Sequence, residues 1–166
     1  MVHVKEKSRR WMYRGRRPNP FAAFVNRGTA AVVAAGIGPK PMARLEVRGR
    51  RSGRVRSFPV VVADYEGQRY LVAMLGAEAN WVRNVRAAAG EAVLRHGRCE
   101  RVCLEEVEPA ARGPILQRYV QVAPGARAHI PVDRQASLER FEQVAGQYPV
   151  FRISPRVSRS YEEDQQ

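Results

Sequence analysis

A chain of 166 residues, 45% of them hydrophobic, can bury one real core, which excludes wholesale disorder. Its longest strongly apolar stretch, Ala30–Ile37, falls far short of the about 20 residues that a membrane-spanning helix needs. Basic residues outnumber acidic ones 29 to 16, for a net charge of +13, and residues 1–56 hold 15 basic and 2 acidic residues against 14 of each in residues 57–166.

In chain order, residues 1–18 form a basic arm with Trp11, Met12 and Tyr13 among the charges. Asn19-Pro20 predicts a helix start, an N-cap followed by proline at the first helical position, and Ala30–Ala35 predicts a second short helix before Gly36. From Arg44 the pattern changes. Leu45–Arg48 and Val55–Ala63 read as strands around the turn Gly49-Arg-Arg-Ser-Gly53, and Arg69–Leu75 reads as a third strand. Asn80 predicts the cap of a helix over Trp81–Ala89 that Gly90 ends. Ala92–Leu94 and Arg98–Val107 predict two more strands, Ile115–Val122 and Leu138–Val144 two helices, and Pro149–Ile153 a last strand. An acidic tail closes the sequence. The expected organisation is an arm (1–18), one domain (19–156) and a polar tail (157–166). Short strands joined by hairpins, with few helices between them, predict an α+β fold built on an antiparallel barrel or sheet, not a Rossmann fold.

Few residues suggest catalysis directly. His3, His96 and His129 are far apart, no metal-ligand spacing occurs, and Cys99 and Cys103 on one strand are too distant to pair. No secretory leader is apparent, so a cytoplasmic location is the default. Glu105, Glu106 and Glu108 read as a solvated face. Two clusters stand out. Arg48, Arg50, Arg51, Arg54 and Arg56 crowd one turn whose glycines bring backbone N–H groups close to any anion, with the Ser52 hydroxyl beside them. Guanidinium forks hold phosphates and carboxylates bidentately; the plain alternative is a solvated hairpin tip. The second cluster, Asn80-Trp-Val-Arg-Asn-Val-Arg86, places Trp81, Asn84 and Val85 on one helical face directly after a strand and turn.

Together, Leu45–Pro59, Tyr70–Ala73 and Gly76–Ala87 resemble the deazaflavin (F420)-dependent nitroreductase family, most strongly from about Ala43 to Val107. The resemblance implies a split β-barrel of the FMN-binding-like, antiparallel type with flanking helices, and hydride transfer from reduced F420 to a small organic acceptor. It implies that Arg50, Arg51, Ser52 and Arg56 hold the coenzyme's phosphate and glutamate tail. Ser57, Pro59 and Val60 would lie along the deazaflavin or its linker, with Ala73, Met74 and Leu75 against the ring. Asn80, Trp81 and Asn84 would close the other side. FMN is the alternative cofactor. Leu75 stands where the characterised nitroreductases have lysine, and their tyrosine-rich C-terminal wall has no counterpart, so quinone or enone acceptors are expected at least as much as nitro compounds. Tyr119 and Tyr148 are the nearest candidates for a proton donor or pocket wall. A homodimer and a peripheral membrane contact through the basic arm are further expectations. A basic nucleic-acid or membrane binder, or a non-catalytic F420 carrier, is the competing reading, although nucleic acid leaves the Asn80–Arg86 block unexplained.

Overall fold

The computed structural model describes residues 41–156. The basic arm, both expected N-terminal helices and the acidic tail lie outside the described residues.

Six antiparallel strands close into a barrel in the order β1-β2-β3-β6-β5-β4, with β4 returning to β1. The strands are β1 (Met42–Arg48), β2 (Val55–Tyr65), β3 (Gln68–Val72), β4 (Glu91–His96), β5 (Arg98–Glu106) and β6 (Val150–Pro155). Helix α1 (Asn80–Ala87) joins β3 to β4, and α2 (Arg112–Val122) and α3 (Leu138–Ala145) lie between β5 and β6. The α+β split barrel expected from the sequence is therefore what forms. Alternation explains the strands: in β1, Ala43, Leu45 and Val47 are buried while Arg44, Glu46 and Arg48 face outward.

Two cores result. Inside the barrel, Leu45, Leu71, Leu94, Val102, Leu104, Phe151 and Ile153 pack with Val82 and Val85 of α1. Outside it, α2 and α3 cover the sheet with Ile115, Leu116, Tyr119, Val120 and Phe141, packed on Ala63, Val72 and Val150.

Several boundaries differ from expectation. The third strand stops at Val72, not Leu75, because Met74 N–H turns back to Val72 O (3.1 Å) and Gly76, at φ +84°, donates to Ala73 O (2.8 Å). Asn80 is the first helical residue and not the cap; Ala79 occupies the cap position without any side-chain hydrogen bond. The helix ends at Ala87, since Ala89 and Gly90 both take positive φ. Here glycine is required: a Cβ on Gly90 would sit 2.5 Å from Leu104 O. The glutamates at the end of β5 are not a merely solvated face. Glu106 pairs with Arg86 (2.7 Å) and with the buried Arg112 (3.2 Å), and Glu105 pairs with Arg152. Cys99 and Cys103 are free thiols, as expected.

Candidate active site

The β1–β2 loop is held by its own backbone. Gly49 N–H donates to Arg54 O and Gly53 N–H to Gly49 O, both at 2.8 Å, with Gly53 at φ +66°. A side chain at the buried Gly49 would meet Arg54 O at 3.0 Å and Ser52 Oγ at 3.1 Å, so the loop closes this tightly only around glycine. Ser52 Oγ is itself occupied, accepting from Arg54 N–H at 3.3 Å. Arg50, Arg51, Arg54 and Arg56 are all exposed around this closed turn.

Helix α1 fixes the loop from the side. Asn84 is 4% exposed, and its Oδ1 accepts both from the Arg50 guanidinium (2.9 Å) and from the Arg50 backbone N–H (3.3 Å). The two clusters singled out in the sequence, 34 residues apart, are thus one structure. Arg50 is turned toward α1. Among the described residues, Arg48, Arg51, Arg54 and Arg56 have no carboxylate within ion-pair distance, although eight other arginines do. Guanidinium groups gathered at one closed turn without carboxylate partners among the described residues can take up the charges of a polyanion.

Register separates the remaining candidates. Arg56 lies opposite Val47, Phe58 opposite Leu45 and Val60 opposite Ala43, so these three point to the inner face of β2. Ser57 and Pro59 face outward, where Ser57 Oγ accepts from Arg44 Nε at 3.1 Å. Ser57, Pro59 and Val60 therefore do not share one surface. Phe58 and Val60 are only partly buried against the barrel core, as are Leu75 and Trp81. The Trp81 ring sits 5.4 Å from that of Phe151, tilted by 58°. Ala73 is wholly buried, its N–H bonded to Pro149 O, and Met74 packs on the outer, helical core. Asn80 is exposed at the start of α1. Partly exposed apolar side chains on the strand face that follows Arg56 suit a flat ring carrying an anionic tail.

Tyr119 and Tyr148 are not part of this surface. Both are buried in the outer core; burial pushes the Tyr119 hydroxyl well above its usual range, and the Tyr148 hydroxyl donates to His129 O at 2.8 Å. Burial also pushes His129 down. Phe58 was absent from the sequence-derived site, although its place two residues after Arg56 on the same strand face was readable. No cluster of His, Cys, Asp and Glu among the described residues could hold a metal, and no described helix is long and apolar enough to cross a membrane.

The profile of the F420H(2)-dependent quinone reductases matches residues 21–139, well over half of the sequence. The chain belongs to that family. Its coenzyme is F420, and it is an F420-dependent reductase. Among solved structures, an F420-H2-dependent reductase is 21% identical over 69% of this chain and 95% of its own, with a TM-score of 0.48. A protein solved as a domain-swapped dimer is 20% identical over 92% of this chain and 97% of its own (TM-score 0.50). A protein of unknown function from Agrobacterium tumefaciens is 12% identical over 84% of this chain and 55% of its own (TM-score 0.51). The last two support the fold. No curated protein matches the chain. The residues present fit the coenzyme: F420 is a polyanion joined to a flat tricycle, and the hairpin offers unpaired guanidinium groups next to partly exposed apolar side chains.

Proposed function

We propose that this reductase delivers hydride to a quinone-class acceptor, with Arg51 and Arg56 as the principal anchors of the coenzyme's phosphate and glutamate tail. The observation that carries this reading is the Arg50–Asn84 latch, which consumes one arginine to hold the loop, while Arg51, Arg54 and Arg56 have no carboxylate partner among the described residues. Ser52 contributes through the backbone geometry it fixes. Arg56 starts a strand face that continues into Phe58 and Val60, so an anion held at the hairpin sets a planar group against apolar side chains, with Leu75 and Trp81 bordering the same core. When bound, reduced F420 supplies a hydride and resists one-electron chemistry. The chain's own task is to bind, to orient and to keep water from the reacting face, which needs no conspicuous acid–base pair. That agrees with the burial of Tyr119 and Tyr148 away from the hairpin. A quinone needs a flat apolar surface more than a charged pocket, and the absence of lysine at Leu75 fits that preference.

The test is a titration with oxidised F420 and with FMN at two salt concentrations, on the native protein and on Arg51→Ala/Arg56→Ala. The native protein is expected to select F420, and the double variant to bind it about 100-fold more weakly while melting normally. Unchanged affinity in a folded double variant rejects the anchors. Reduced F420 is then offered with a quinone, an enone and a nitroarene; turnover of the nitroarene alone rejects the acceptor class.

A further inference from the structure

The described chain ends at Arg156, whose backbone N–H donates to Arg101 O at 3.0 Å and whose guanidinium pairs with Glu91 at 2.8 Å. Arg156 borders a cavity of about 520 Å³ that also takes in Arg101, Arg48 and Val55, so the trough leads from the end of β6 to the base of the arginine hairpin. Its two carboxylates are already committed, Glu46 to Arg44 and Arg95, Glu91 to Arg156. Arg48 and Arg101 have no carboxylate partner among the described residues, and Val55 beside them is 64% exposed, the most exposed large apolar side chain there. Two arginines without a carboxylate partner among the described residues, beside an apolar edge, suit an acidic segment with an aromatic residue.

The sequence supplies one at short range. Tyr161, Glu162, Glu163 and Asp164 follow Arg156 by five to eight residues, and six extended residues reach about 20 Å. We propose that Tyr161–Asp164 docks in this trough, its carboxylates on Arg101, Arg48 and the neighbouring hairpin arginines, and the Tyr161 ring on Val55. The tether makes the effective concentration of the segment about millimolar, so weak individual contacts suffice at low ionic strength. The segment carries the same chemistry as a short run of glutamates. It therefore competes with an anionic coenzyme tail for the hairpin, a consequence that rests on the anchor reading above, whereas the docking itself does not.

The experiment compares the full chain with Glu162→Gln/Glu163→Gln/Asp164→Asn, substitutions outside the barrel. Without coenzyme, the side-chain Nε–H resonances of Arg48 and Arg101, assigned with Arg48→Lys and Arg101→Lys, are expected to shift between the two proteins at low salt and to coincide at high salt. In parallel, the triple variant is expected to bind F420 about 3- to 10-fold more tightly at low salt, the difference vanishing near 0.5 M salt, at roughly a 4 Å screening length. Identical arginine resonances overturn the docking, including the case in which the carboxylates sit on the basic arm instead. Shifted resonances with equal F420 affinity uphold the docking and overturn its competition with the coenzyme's tail.

Discussion

Replacing Asn84 by leucine is expected to loosen the arginine hairpin without unfolding the barrel. The side chain is 4% exposed and shares leucine's branched four-heavy-atom skeleton, so the packing geometry is largely kept. What is lost is one acceptor serving two donors, the Arg50 guanidinium at 2.9 Å and its backbone N–H at 3.3 Å. The first is charge-assisted, but Arg50 is exposed and regains water; the second is long. The net loss is therefore about 1–2 kcal/mol, at the low end for bonds to charged groups. Spent on the population of the closed loop, that weakens F420 binding by up to about 5- to 30-fold, because affinity scales with the competent fraction. The titration follows coenzyme fluorescence, with kcat measured at saturating coenzyme. Affinity is expected to fall while kcat holds. Asn84→Asp keeps the acceptor and recovers most of the affinity, and Arg50→Ala adds little to Asn84→Leu, since both break one contact. Wild-type affinity in a folded Asn84→Leu protein, or additive losses in the double variant, would refute the latch.

Gly90→Ala is expected to cost about 3 kcal/mol, roughly 10 °C in Tm, because φ there is +83° and the added Cβ would meet Leu104 O at 2.5 Å; an unchanged melt would contradict the geometry. Arg112 is 6% exposed and serves Val107 O, Tyr148 O and Glu106, so Arg112→Ala should lower unfolding free energy in urea by about 2–4 kcal/mol. Stability should also fall in acid through Glu100. The hydrogen bond from Arg69 holds its carboxyl below the ordinary glutamate value of 4.5, so its contribution is complete above that pH and is lost as pH falls through the lower, folded value. Glu100→Gln should flatten this part of the Tm–pH curve; an identical curve would assign the acid limb to other carboxylates.

Local pattern determined much of this protein from sequence. Alternation in Leu45–Arg48 and Val55–Ala63 located the first hairpin, and five arginines around Gly49 and Gly53 marked a candidate anion site, because period-two burial and turn glycines act within a few residues. Boundaries at Asn80, Ala89 and Leu75 shifted by one to three residues, where short-range backbone hydrogen bonds and positive φ at Gly76, Ala89 and Gly90 set the ends instead of the expected caps. The outer and inner assignments of Ser57, Pro59 and Val60 were available from strand parity but require the β1 register to become a statement about surfaces. Tyr119 and Tyr148 looked like pocket residues only because sequence does not say which side of a sheet a helix covers. Barrel closure through β4 and β1, the bond from Arg50 to Asn84 and the pairing of Glu106 with Arg86 and Arg112 join residues distant in the chain. Sequence by itself thus determined the strands, the basic turn and the family. Only tertiary structure decided which arginine is spent on the fold and which stand without a carboxylate partner among the described residues, because hydrogen bonding is settled by distance in space.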